Sequence, residues 1–368
     1  MLKQTKNTQP KFKKINEFKE ADSKFLRGEK SECIKASAEV FKKNFKKLGM
    51  VKAVKTIDLV SAAYPTSFAY AGAAIGLNPY VNINNRLIIV QFLDFNDNLK
   101  TFLWEPTIKE GSARAPFYKQ LIKKYGEFLS YKILTKEFHT LEQALDKVGI
   151  KPEQVDYVSF DHLHVQDLRT LMGTNKPLVN ETEPRKPFFP NAKFIFQKKE
   201  FDTLRSPHPM QWAWYVTDSS EDLNEDNMVL IEGDILLGKG IALLSTPGHT
   251  DGNHSLCINT PEGIWVSSEN GVSMDSYFPE YSKIPGLKSY SRFYKREVIL
   301  NSNTLEDSID QYDSMLKEKY VADIYTKDPR FRNILPSSEV GNYLRQWPVI
   351  PIIQMKGINY GEIQNESS

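Results

Sequence analysis

Cysteine is scarce in this 368-residue chain. Cys33 and Cys257 are the only two, too few for a disulfide framework or a Cys-rich zinc module, and such usage suits a reducing compartment. Long apolar runs are missing as well. The longest uncharged stretch, between Asp58 and Arg86, is broken by Pro65, Pro79 and several asparagines, whereas a membrane span needs about 20 predominantly apolar residues. Met1 to Lys24 holds no apolar segment of the signal-peptide kind. These absences predict a cytoplasmic protein with no membrane span. There is no fixed-period repeat and no G-x-S-x-G nucleophile elbow. A phosphate-loop look-alike, Gly233 to Lys239, is followed by Gly240 where Ser or Thr is required, and strands flank it. With 40% hydrophobic and 26% charged residues, general disorder and coiled coil are excluded too.

Charge is present but unevenly spread. The net value is +2, yet residues 1–56 hold 15 Lys and one Arg against six acids, which leaves +10 there and −8 on the remainder. A basic arm on an acidic body can tether nucleic acid or a membrane surface. Against that, Ile34, Ala38, Phe41, Phe45 and Leu48 recur at helical spacing and form one apolar stripe. The lysines fall mostly outside it. This pattern predicts an amphipathic helix docked on its own body and argues against a nucleic-acid partner. The expected division is a basic helical N-terminal extension over 1–57 and a main domain over 58–368.

Strand signals dominate the main domain. RLIIVQFLDF and KTFLWEPTI read as a hairpin around Asn96-Asp97-Asn98, and VDYVSF (155–160), AKFIFQ, MVLIEG, DILLG, GIALLST, HSLCINT and GIWVSS follow. Helices are expected over 117–129, after Thr140 with Gln143 as a capping box, and from about Thr304; VADIYT (321–326) is expected to close as a strand. Strands clustered in meanders with helices between them predict packed sheets with helices outside.

Six histidines are available, and two of them form His162-Leu163-His164 at the end of a predicted strand. In extended chain both imidazoles of an H-x-H face the same side, and imidazole is the commonest ligand of zinc-like ions. His249 sits in the turn TPGHTDG between two apolar strands. Glu269 ends the strand GIWVSS. Three imidazoles and a carboxylate, each at a strand terminus, can converge on one sandwich edge and leave a coordination position open for water.

Taken together, the H-x-H segment, TPGHTDG, the strand-end carboxylate and the late helix–strand unit resemble the metallo-β-lactamase fold superfamily, in its lactonase-like branch, over roughly residues 85–330. The resemblance implies an αββα sandwich with a metal site at its edge and metal-assisted hydrolysis of a lactone, ester, thioester or amide. The usual H-x-H-x-D-H reads HLHVQD here, so Gln166 and Asp167 stand where Asp and His are expected. Glu269 stands at the bridging Asp, and Lys327-Asp328 at the late strand end where a His is usual. A Lys ammonium cannot ligate while protonated. Lys327 is therefore expected to pair with Asp167 and Glu269 in place of a second ion.

The resulting expectation is a one-metal hydrolase acting on a small-molecule substrate, with zinc as the first choice and iron or manganese as others. Its metal ligands are His162, His164, His249 and Glu269, with Asp167 available, and Asp167 and Lys327 are its catalytic residues. The competing reading is a protein of the same fold that has lost hydrolysis and binds a ligand or partner. Trp212, Trp214 and Tyr215 are candidate walls of an apolar pocket. Tyr64 to Tyr80 offers another wall or a homodimer contact.

Overall fold

The computed structural model describes residue 10 and residues 12–130, 134–302 and 308–365. Along the chain its strands are β1 (Lys13–Lys14), β2 (Ala53–Pro65), β3 (Tyr80–Leu93), β4 (Leu99–Trp104), β5 (Thr135–Glu137), β6 (Tyr157–Ser159) and β7 (Lys193–Gln197). They continue with β8 (Met228–Ile231), β9 (Ile235–Gly238), β10 (Ile241–Ser245), β11 (His254–Thr260), β12 (Gly263–Ser267), β13 (Ser338–Val340) and β14 (Asn359–Tyr360). One sheet has the order β1-β9-β10-β11-β12. The other has the order β14-β2-β3-β4-β6-β7-β8, with β5 beside β2 and β13 beside β3.

Successive side chains of a strand point to opposite faces, and the second sheet obeys this with apolar residues on both. Ile88, Val90 and Phe92 of β3, Phe102 and Trp104 of β4 and Ile195 of β7 pack with β10, β11 and β12 in the core between the sheets. Their neighbours Leu87, Ile89, Leu103, Phe194 and Phe196 face the other way into a second core. That core is closed by helices α3 (Leu141–Val148), α4 (Leu168–Met172) and α5 (Lys198–Arg205), through Leu145, Leu171 and Phe201. The five-stranded sheet is covered by α1 (Arg27–Lys47) and α6 (Ser308–Val321). Helix α2 (Pro116–Leu129) lies beyond β4 in the chain. The layers are therefore helix, sheet, sheet, helix. Thr140 caps α3 in the expected box with Gln143.

The N-terminal segment is part of this sandwich. Ile34, Ala38, Phe41 and Phe45 are buried in the main core, and Phe41 stacks on Phe45 at 5.1 Å. β1 pairs antiparallel with β9 at the sheet edge, and β2 runs through residue 57, so the expected boundary there falls inside a strand. The charge imbalance has an internal explanation. Arg27 pairs with Asp310 (2.6 Å), Lys30 with Asp313 (3.5 Å), Lys35 with Glu297 (3.1 Å) and Lys46 with Asp323 (2.7 Å). Exposed ion pairs contribute little to stability, so the buried stripe supplies most of the holding energy and the charges fix the docking.

The expected strand at 321–326 does not form. Helix α6 runs to Val321 and buries Val321 and Ala322, while Asp323 turns back to accept the Ile264 N–H at 2.8 Å. Beside β12 runs a later segment instead. Val266 N–H donates to Asn333 O (2.9 Å), Leu335 N–H to Val266 O (2.9 Å) and Ser337 N–H to Ser268 O (3.2 Å). The helix start expected at Thr304 lies outside the described residues; α6 is described from Ser308.

Candidate metal centre

β6 ends at Ser159, and the next residues turn into the site. The Asp161 N–H donates to Glu105 Oε1 at 2.6 Å, and the Asp161 carboxylate accepts from Ser337 Oγ (2.5 Å) and from His162 Nδ1 in a short hydrogen bond. Buried Glu200 ties the two histidine-bearing loops together. It accepts from the Leu163 N–H (2.7 Å), Thr250 Oγ1 (2.5 Å) and the Tyr215 hydroxyl (2.9 Å). The TPGHTDG turn needs both its glycines: a Cβ on Gly248 would lie 2.1 Å from Gln311 N, and one on Gly252 would lie 2.1 Å from Glu200 N.

The turn and the strand end bring His162, His164 and His249 together, all buried, with one ligand atom of each within 4.8 Å of the others. Their ring centroids are 4.6 Å (162–164), 4.7 Å (162–249) and 5.3 Å (164–249) apart. His249 Nδ1 donates to Asn301 O at 3.0 Å and His162 Nδ1 to Asp161. Each bond fixes a ring so that Nε2 carries the lone pair, the arrangement by which a metal-ligating histidine is normally oriented. Glu269, at the end of β12, places Oε1 3.9 Å from His249 Nε2 and accepts from Asn301 Nδ2 at 3.5 Å. Three clustered imidazoles, two of them oriented through Nδ1, with a neighbouring carboxylate suit a zinc-class ion once His162 gives up its proton.

Burial, aided by the charge on His162, pushes His164 well below the usual imidazole range and His249 down to about 3. Burial also disfavours a charged His162, but the Asp161 carboxylate outweighs it and lifts that imidazole to about 9. Glu269 is pushed up to about 7 by burial, with His162 opposing and Asp161 adding. A ligating imidazole must be neutral, so at neutral pH an incoming ion displaces the His162 proton. Metal affinity should therefore rise about tenfold or more per pH unit between pH 6 and 8. Asp161→Asn, which removes the carboxylate holding that proton, should flatten the slope by about one proton. Competition against a chelating indicator at three pH values checks both.

A cavity opens from His162 and His164. Val60 and Ala62 of β2, Ile83 of β3, Leu121 of α2 and Trp214 form apolar walls, and His162, His164, Gln166, Glu269 and Ser338 form the polar end. Of the aromatic candidates, Trp214 and Tyr64 line it. Trp212 is exposed, and Tyr215 is buried behind His164 with ring centroids 4.7 Å apart.

Two sequence-expected residues lie elsewhere. Asp167 does not face the cavity: it caps α4, binds Arg169 through both oxygens (2.9 Å each) and pairs with Arg114. Lys327 is exposed in the loop after α6, near the Tyr325 ring. Among the described residues it pairs with neither Asp167 nor Glu269. The reason is the misplaced strand: the segment running beside β12 to the site is 333–338, and it delivers Ser338 to the Glu269 side chain. Asp161, immediately before H-x-H, was open to reading as a partner of His162. Glu200, Asn301 and Ser338 carry no local signal, since each meets the site only through the fold.

No protein-family model matches the chain. A 142-residue stretch, 37% of this chain, is 30% identical to 46% of an N-acyl homoserine lactonase from a Bacillus species. A 139-residue stretch is 31% identical to an N-acyl homoserine lactonase of Bacillus cereus, again 37% of this chain and 46% of the relative. The chain thus spans about half the length of the curated relatives it matches. A dizinc quorum-quenching lactonase superposes with a TM-score of 0.48 at 12% identity, over 86% of this chain and 99% of its own. The hydrolase AbOPH of the beta-lactamase superfamily gives 0.45 at 14%, over 79% and 90%. Part of the chain is thus similar in sequence to N-acyl homoserine lactonases, and its three clustered histidines lie at the edge of a helix–sheet–sheet–helix sandwich.

Proposed function

We propose that the chain is a metal-dependent hydrolase of lactone or ester bonds in small substrates with an apolar tail. The observation that carries this is the buried imidazole triad, two of whose members, His162 and His164, line a mainly apolar cavity. His162, His164 and His249 would hold one zinc-class ion, iron or manganese being alternatives on the same donor set. Such an ion supplies Lewis acidity towards a carbonyl oxygen and lowers the pKa of water towards about 7.

The chain's own groups do the rest. Glu269 is the carboxylate next to the triad that is not committed elsewhere, whereas Glu105 accepts from the Asp161 N–H and Asp167 is held by two arginines. Glu269 accepts a proton from the attacking water and returns it to the departing oxygen. The water oxygen joins the acyl carbon, the carbon–oxygen bond of the lactone breaks, the alcohol oxygen gains one proton, and the second leaves the new carboxyl group. Trp214, Val60 and Leu121 exclude water and hold the apolar tail. A single ion is the reading favoured by the remaining polar groups: Gln166 donates its amide N–H to Thr107 Oγ1 at 3.0 Å, and Ser338 is neutral.

A second reading, a ligand-binding protein without turnover, is favoured by the commitment of Asp167 to Arg114 and Arg169. The two are separated by following proton release from an N-acyl homoserine lactone and a simple ester with zinc-loaded protein. Chelator-sensitive opening of the lactone or ester is the expected result; binding without turnover would support the second reading.

A further inference from the structure

We propose that the corner built from residues 66–80, the helix Leu287–Tyr294 and the turn Leu344–Gln346 docks on an anionic phospholipid membrane. The chain would rest at the lipid–water interface, since no helix among the described residues is long and apolar enough to cross. Three stretches distant in sequence meet at this corner. The Ile75 N–H donates to Pro285 O at 2.8 Å, and Asn78 Nδ2 donates to Arg345 O (3.1 Å) and Trp347 O (3.0 Å). A Cβ on Gly76 would lie 3.1 Å from Val349 Cγ2. Beneath them Ala73, Ile284, Leu287 and Val349 share one buried cluster with Trp214, the cavity wall.

The outward side chains are unusually apolar for a face in water. Leu344 is 87% exposed, Phe293 79% and Trp347 73%, Leu77 is fully exposed, and Ile75 and Tyr294 are more than half exposed. Neighbouring exposed apolar side chains mark an interaction site. Around them the charge is of one sign. Residues 66–80, 281–296 and 341–350 hold Lys283, Lys288, Arg292, Lys295, Arg296 and Arg345 but no acid, although the whole chain has 46 acids in 368 residues. All six cations are exposed, and among the described residues none forms an ion pair, unlike Arg27, Lys30, Lys35 and Lys46 of α1. Apolar tips ringed by unpaired cations match the two parts of an anionic bilayer surface. The acyl boundary takes the tips and the phosphates take the cations, and Trp and Tyr favour that interface. A second copy of the chain fits worse. A two-fold contact sets the patch against itself and opposes six cations to six. The inference stands apart from the hydrolase reading.

Co-sedimentation of the full chain with vesicles tests it, using phosphatidylcholine alone and phosphatidylcholine mixed with phosphatidylglycerol. Wild type should bind the mixed vesicles about tenfold or more tighter than the neutral ones, and added salt should weaken that binding. Lys288→Glu with Arg292→Glu should remove the preference for the anionic lipid. Phe293→Ser with Leu344→Ser should weaken binding to the mixed vesicles about tenfold. All four side chains are exposed, so the melting temperature should not change. Wild type left in the supernatant with both vesicles, or binding that neither pair of substitutions alters, would overturn the proposal. Two further results would overturn it and name another occupant. A dimer that Phe293→Ser with Leu344→Ser splits, without vesicle binding, would give the face to a second copy. Salt-sensitive binding to soluble polyglutamate, without vesicle binding, would give it to an acidic protein.

Discussion

His249→Ala is expected to abolish stable metal binding and, with it, hydrolysis. Removing only the hydrogen-bond partner of a ligating histidine typically costs about 10- to 100-fold in metal affinity, and removing the ligand itself must cost more. The remaining pair, His162 and His164, comes from a single loop and lacks the imidazole that Asn301 O orients from the TPGHTDG side. The informative control is His254→Ala. His254 is as buried as the triad, but its Nε2 faces Ser159 Oγ at 3.0 Å and it lies outside the cluster. That variant should lose stability and keep its metal. Metal analysis and lactone turnover on both variants decide the matter: retention of metal by His249→Ala would dismantle the site described here.

Glu269→Gln should lower kcat by about 10²- to 10⁴-fold, the range for loss of a positioned general base, while the protein still holds its ion. The amide preserves shape and can still accept from Asn301, so folding should be little affected. A carboxylate raised to about 7 by burial is poised to exchange a proton near neutrality. The outcome also distinguishes two roles. Loss of rate with metal retained marks a base, and proportional loss of both marks a metal ligand.

Much of this was legible in the sequence because it is written locally. Period-2 apolar runs gave β3, β4, β7 and β10 to β12, and the step of four and three from Ile34 to Phe45 gave the buried stripe of α1. H-x-H at a strand end and His249 in a Gly-Pro turn brought the three histidines into one cluster, since strand termini on one sandwich edge have few places to go. What escaped was non-local. The late strand was placed at 321–326 because those residues are apolar, yet helix α6 uses them to close its own end. The edge segment is 333–338, whose serines carry no hydropathy signal. That single misplacement put Lys327 at the site. Asp167 escaped for a different reason: Arg114, more than 50 residues earlier, claims it, and nothing in spacing announces that pair. The apolar stripe announced that this helix docks on the chain's own body, but not that Arg27, Lys30, Lys35 and Lys46 pair with acids some 260 or more residues away.

The central claim is a single metal site built from three histidines, and metal analysis of the purified chain after zinc loading and desalting tests it most directly. About one equivalent per chain is the predicted result. Two tightly held equivalents would mean that Glu269 and its neighbours bind a second ion after all, and none would mean that the triad is a buried histidine cluster without a metal.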